Sequence, residues 1–283
     1  MTLGYEIPQG SKIHFGLSAK IKRDIELKAV DIFYQNGFEE ILTPSFSFGL
    51  EDIIYKYKAI RISADDNKQM ILRNDNTTDV IKIIHRHLGN KISNKKWFYI
   101  QPSFSYPSTE INQIGAEFLD KDSLGNILCI AVNIFLELEL NPILQISNMN
   151  IPKLCVKESE LDIDIFSKMK IDRILKSASY FGDLLSIQTK NDLESYIPKA
   201  PRFLKEELEI LLHSASYCDY KNTMFSPLYY SPNGYYDSLF FRMFNDNKIF
   251  LLGGKYEIDD VQSCGFAIYT NEVVEYILNK VVE

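Results

Sequence analysis

Residues 98–118 read FYIQPSFSYPSTEINQIGAEF and carry a glutamine, a glycine and a glutamate at alternate positions: Gln113, Gly115 and Glu117. Side chains alternate faces along a strand, so these three share one face and Ile114, Ala116 and Phe118 the other. An amide and a carboxylate flanking a glycine are suited to form the floor of a small polar pocket. No Lys or Arg occurs between Lys96 and Lys121, so the floor has no local cation for a phosphate. The bland alternative is the wet face of an antiparallel sheet.

Other residues with chemical potential stand apart in the chain. Asp75 precedes an apolar periodic stretch, where a helix N-cap is the default role and holding a ligand's ammonium group is the functional one. Tyr235 and Tyr236 suit either a pocket wall or a core, since the chain has 17 tyrosines. His85 and His87 sit two apart on a predicted helix and face different ways, and no other residues complete a metal set. No Walker A, G-x-G-x-x-G or G-x-S-x-G element is present. Gly253-Gly254 after the apolar run 249–252 reads as a tight turn ending a strand.

The elements that must position these residues follow from periodicity. Ile21, Ile25, Ala29, Ile32 and Phe33 mark a helix over 18–36, stopped by Asn36-Gly37. A strand is expected over 38–43, ended by Pro44. Residues 61–63 and 69–72 read as a hairpin with its turn at 64–68, and 75–88 as a helix. The hairpin 98–106/110–118 turns at Pro107-Ser108-Thr109. Helical 123–140 and extended 143–147 follow. From 152 to 221 the pattern is short helices with few strand runs, read as a helical insertion within one 1–283 domain. Strands return at 235–244, 248–252 and 264–269, and a helix over 271–282 ends the chain. Hairpins with a few long helices predict an α+β fold, an antiparallel sheet flanked by helices.

The chain has 283 residues and a net charge of −7. That charge argues against nonspecific nucleic-acid binding. The run 91–96, KISNKK, is its most basic stretch and reads as a solvated loop. No apolar run approaches the length of a membrane span, and the N-terminus shows no signal-peptide pattern. Four scattered cysteines with no C-x-x-C pair predict free thiols in a cytoplasmic protein.

In order, the segments GFEEILTPSF, LRNDNTTDVIKII, FYIQPSFSYP…INQIGAEF, NGYYDSLFF, GGKYE and GFAI resemble the catalytic core of histidyl-tRNA synthetase, a class II aminoacyl-tRNA synthetase fold. They equally resemble its non-catalytic relatives, the regulatory subunits of ATP phosphoribosyltransferase. The resemblance covers about 16–49, 68–147 and 225–277. It implies a histidine site in which Asp75 and Thr77 match the acidic-x-threonine loop, Gln113 and Glu117 the Q-x-G-x-E strand, and Tyr235 and Tyr236 the tyrosine pair that closes the pocket. Carboxylates suit an ammonium group, and amides, hydroxyls and carboxylates satisfy imidazole nitrogens.

The ATP-handling half of the pattern is missing. Ser105 stands where the family's α-phosphate arginine follows the hairpin phenylalanine, and the arginine-bearing loop after it shrinks to 107–110. Glu272 aligns with the arginine of the last helix, and Ser231-Pro232-Asn233 with another upstream of the tyrosine pair. Guanidinium groups stabilise the charge that develops on phosphate during activation, and each is worth about 10²–10³ in rate. The chain is therefore not expected to be an enzyme, to use a cofactor or metal, to handle tRNA or to carry an anticodon-binding domain.

The resemblance implies a regulatory subunit in histidine biosynthesis. It would bind histidine as a feedback signal, associate with the catalytic ATP phosphoribosyltransferase chain, and form a homodimer within a hetero-oligomer. The ligand's own carboxylate then lacks its usual cation, and Arg73 or a backbone amide is the candidate replacement. Two other readings stand beside it. One is a degenerate paralogue serving as an interaction module. The other is an orphan amino-acid ligase drawing cations from Arg61, Arg73 or Arg242.

Overall fold

Apolar residues four apart build the first helix, α1 (Leu17–Gln35), which buries Ile21, Ile25, Ala29 and Phe33. Gly37 ends it at φ +75°, a left-handed backbone that glycine adopts without a Cβ penalty. These contacts belong to a computed structural model that describes residues 6–48, 58–63, 69–89, 91–232 and 234–282. The chain divides into two compact units: Met1–Glu117 with Ala267–Glu283, and Phe118–Phe266.

In the first unit, α1 is followed by β1 (Glu39–Glu40), β2 (Phe46–Phe48), β3 (Arg61–Ser63) and β4 (Gln69–Leu72). Then come α2 (Asn76–Ile83), a wider helical turn at Ile84–Leu88, β5 (Lys96–Ser105) and β6 (Thr109–Phe118). β2, β4 and β3 form a small antiparallel sheet in that order. Its expected turn at 64–68 lies outside the described residues. β1 pairs parallel with β5, through Glu39 with Trp97 and Glu40 with Phe98. Phe33 of α1 stacks on Phe98 of β5 with ring centroids 4.8 Å apart. Burying each such side chain contributes ~1.5–3 kcal/mol, which fixes this helix on the even-numbered face of β5. The odd-numbered face of β5 turns toward α2. The final helix, Thr270–Val282, also belongs to this unit.

The second unit starts with α3 (Leu124–Glu137), whose buried face includes Ile127, Leu128, Ala131, Ile134 and Phe135. β7 (Ile143–Asn148) follows, and six short helices lead to β8 (Thr223–Phe225): α4 (Asn150–Lys157), α5 (Ile163–Ser167), α6 (Ile171–Ser177), α7 (Tyr180–Ser186), α8 (Lys190–Tyr196) and α9 (Lys205–His213). Their inner faces bury Phe166, Ile174, Phe181, Leu193, Leu208 and Leu211. β9 (Tyr236–Asn245), β10 (Lys248–Ile258) and β11 (Val261–Tyr269) complete the sheet, in the order β11-β10-β9-β7-β8. β7 runs antiparallel to β9, and β8 parallel to β7.

Three expectations change. The expected α+β layout of sheet and flanking helices is present, but outside the antiparallel β2-β4-β3 sheet the pairing is mixed, because the β1–β5 and β7–β8 pairs run parallel. The strand expected over 38–43 keeps ladder form only at Glu39–Glu40. Beyond it Ile41 N–H still donates to the Phe98 carbonyl at 2.9 Å, and from Thr43 side chains take the backbone's hydrogen bonds: Thr43 N–H donates to Gln101 Oε1 at 3.1 Å, and Arg73 Nη1 donates to the carbonyls of Thr43 and Pro44. Gly253-Gly254 does not end a strand. β10 continues through both residues to Ile258, with a register shift against β9 between Gly254 and Tyr256. A Cβ on Gly253 would lie 2.5 Å from the Phe241 ring, and one on Gly254 2.7 Å from the Leu239 carbonyl, so close approach rather than turning requires these glycines.

Candidate functional site in the first unit

Alternation along β6 sends Gln113, Gly115 and Glu117 to the α2 side, while Ile114 and Ala116 on the opposite side are fully buried. Thr77, in the first turn of α2, donates its hydroxyl to Glu117 Oε1 at 2.7 Å. Its neighbour Asn76 donates through Nδ2 to Gln113 Oε1 at 2.6 Å and to the Gln101 carbonyl at 3.1 Å. Two of the expected site residues thus meet directly and a third is reached through an asparagine. Glu117 is 0% exposed, whereas Gln113 is half-buried.

The space over Gly115 is filled by Tyr99, from the same face of β5. A Cβ at Gly115 would lie 2.2 Å from Tyr99 Cζ. The Tyr99 hydroxyl in turn lies 3.4 Å from Thr77 Oγ1. Sequence reasoning did not reach Tyr99, although the alternation that aligned Gln113 with Glu117 places it, two residues before Gln101, on that face. Asp79 was missed as well.

Asp75 takes the N-cap role, accepting from the Thr78 N–H at 2.7 Å. Burial pushes its carboxyl above the ordinary carboxylate range. Asp79, one turn later, is raised to about 6 by burial and then by the Asp75 charge, against the pull of Arg73 and Lys82. Two carboxylates sharing a helix start resist simultaneous ionisation.

Arg73 is not the replacement cation that the sequence offered. It is 2% exposed, and its guanidinium donates to Thr43 O at 2.8 Å, Pro102 O at 2.9 Å, Thr43 Oγ1 at 3.0 Å and Pro44 O at 3.1 Å. Burial lowers its pKa. The side chain brackets the segment after β1 to the end of β5 and has no room for a ligand carboxylate. Gln113 also lines a cavity of about 250 Å³, along with Gln101, Asn112, Lys22, Arg23 and Glu26. There Glu26 is held by both cations: Lys22 Nζ meets Oε1 and Arg23 Nη1 meets Oε2 at 2.7 Å.

Tyr235 and Tyr236 belong to the second unit. Their hydroxyls are hydrogen-bonded at 3.2 Å, and their rings lie 4.4 Å apart. Tyr236 also meets Phe240 edge-on at 4.9 Å, and Tyr235 meets Tyr256 at 5.7 Å. Arg242, also in this unit, donates from Nη2 to Gln145 Oε1 at 2.8 Å and lies 4.3 Å over the Tyr229 ring. Asn233, in the segment aligned with a family arginine, lies outside the described residues. Among the described residues no cluster of three or more His, Cys, Asp or Glu could hold a metal ion.

Comparison with known proteins gives this arrangement a family. The model described as histidyl-tRNA synthetase matches residues 17–179. A protein of Helicobacter hepaticus named ATP phosphoribosyltransferase regulatory subunit is 50% identical over 280 residues, covering 99% of this chain and 100% of its own. One of the same name from Wolinella succinogenes is 50% identical, covering 98% of this chain and 97% of its own. Among solved structures, an ATP phosphoribosyltransferase regulatory subunit/histidyl-tRNA synthetase from Bacillus halodurans superimposes with a TM-score of 0.83 at 15% identity, covering 97% of this chain and 84% of that one. A chain of the HisG:HisZ ATP phosphoribosyltransferase complex from Thermotoga maritima gives 0.69 at 16% identity, covering 88% and 97%. The histidyl-tRNA synthetase fold is therefore shared, and at half identity over nearly its whole length the chain belongs to the family of ATP phosphoribosyltransferase regulatory subunits.

Proposed function

We propose that this protein is a non-catalytic partner of a catalytic ATP phosphoribosyltransferase chain and binds histidine as a feedback signal. One observation carries the reading. The Q-x-G-x-E strand is held against the α2 start by the Thr77–Glu117 bond and the Asn76–Gln113 bond, while Ser105 stands where the phosphate-gripping arginine would be. This supports the amino-acid half of a synthetase site, while Ser105 and Glu272 stand at positions the family fills with arginines for ATP. Asp75, Thr77, Gln113, Glu117, Tyr235 and Tyr236 are its proposed histidine contacts. Residues 152–221 are proposed as a helical insertion in the synthetase-like domain. A cytoplasmic setting fits four free cysteines, and no described helix is long and apolar enough to cross a membrane.

Homodimer formation is part of the proposal. In the first unit Leu42 and Phe46, which follow β1 in the chain, are 71% and 54% exposed, an apolar set that a second copy would cover. The experiment is reconstitution with the cognate catalytic chain. Activity should need this protein and fall with added histidine, and Glu117→Ala should abolish the histidine response. Failure of the two chains to associate would sink the reading.

The full burial of Glu117 and the Tyr99 ring over Gly115 favour a second reading, an interaction module without ligand. It predicts association with the catalytic chain but no effect of histidine on the complex.

A further inference from the structure

Asn76 is the least expected residue at the site. It is 1% exposed, and its Oδ1 accepts no hydrogen bond. An unpaired buried carbonyl oxygen costs about 1–3 kcal/mol, so stability does not explain an asparagine here. Its Nδ2 does explain it. One contact of Nδ2 is the Gln101 backbone carbonyl at 3.1 Å, which can only accept, so that edge of the Asn76 amide is the donor edge. The Gln113 atom 2.6 Å from the same nitrogen must then be the acceptor, Oε1. The Gln113 amide is thereby locked, with its oxygen turned to Asn76 and its two Nε2 hydrogens on the free edge.

We infer that Asn76 is a positioning residue that makes Gln113 a donor, so that Gln113 receives the carboxylate of an amino-acid ligand and not its ammonium group. This rests on the histidine-binding reading above and supplies what that reading lacks, a partner for the carboxylate once Arg73 is spent on backbone carbonyls. The cavity that Gln113 lines also carries Lys22 and Arg23, both paired with Glu26, so the amide there is not opposed by an unpaired carboxylate.

The test uses calorimetry on the full chain, alone and with its catalytic partner, with histidine, histamine (no carboxylate) and imidazolepropionate (no ammonium). If wild type gives no heat with histidine in either form, the parent reading fails. If it binds, Gln113→Glu discriminates by sign, because a carboxylate can accept but not donate. The inference expects at least about a tenfold loss of histidine affinity, the scale of one hydrogen bond to a charged group. Unchanged or tighter binding overturns it. Asn76→Leu frees the Gln113 amide to rotate, so the imidazolepropionate-to-histamine affinity ratio should fall by about tenfold. A preserved ratio with intact folding removes Asn76 from the mechanism. A merely structural role would weaken all three ligands together.

Discussion

The hydroxyl of Thr77 donates to Oε1 of Glu117 across 2.7 Å, tying the first turn of α2 to β6 at a carboxylate with no solvent exposure. Thr77→Val keeps the shape and removes the donor. A hydrogen bond to a buried charged group is worth about 1.5–3 kcal/mol, and urea denaturation should show a loss of that size. Histidine affinity should fall with it, and Thr77→Ser should restore most of both.

Gly115 should be intolerant of any side chain. Its Cβ would fall 2.2 Å from Tyr99 Cζ, inside a ring that packing holds in place. Gly115→Ala should destabilise by about 1–3 kcal/mol through overpacking. Combined with Tyr99→Leu, the two costs should add to less than their sum, because the second change removes what the first collides with. A thermal-denaturation cycle measures the coupling, and strict additivity would contradict the contact.

The carboxyl of Asp79 is raised from 3.8 to about 6, first by burial and next by the Asp75 charge. For an acid raised in the folded state, the native protein holds the proton more tightly than the unfolded chain does. The associated stability is present below about pH 4 and lost as pH climbs to about 6. At ~1.4 kcal/mol per unit, the loss is about 3 kcal/mol. Asp79→Asn should flatten that part of the pH–stability curve and make the protein more stable at pH 7. Asp75, shifted in the same direction, contributes to the same slope.

Arg73→Lys should behave as a severe substitution. The guanidinium serves Thr43, Pro44 and Pro102 at once, a fork that an ammonium on a single stem does not reproduce. Leaving even one of these carbonyls unpaired costs about 1–3 kcal/mol. The midpoint of chemical denaturation should move accordingly, with no compensating gain in ligand affinity.

Leu42→Asp on the exposed apolar set of the first unit should leave the fold intact, since Leu42 is 71% exposed. It should shift the mass in solution at micromolar concentration from dimer to monomer. A wild-type monomer under those conditions would remove the homodimer from the proposal.

Local pattern carried much of this protein into view. The period of α1, the hairpin at β5 and β6, and the helix after Asp75 stand where periodicity put them. Each is written into neighbours a few residues apart. The N-cap role of Asp75 was legible for the same reason. The Gly253-Gly254 pair misled because a glycine that permits a turn and one that admits a neighbouring backbone look alike in sequence. Only the opposing strand, with Phe241 and Leu239 against the missing Cβ atoms, distinguishes them.

The sequence by itself determined the family and the sharing of one strand face by Gln113 and Glu117, because these depend on residue type, order and a period of two. Tertiary structure decided which groups are still free to act. Arg73 became a backbone bracket, Tyr99 took the space over Gly115, and Asn76 set the direction of the Gln113 amide. Those outcomes depend on hydrogen bonds and contacts between residues 16 to 37 positions apart, whose geometry exists only after the strands have paired and α2 has docked on them.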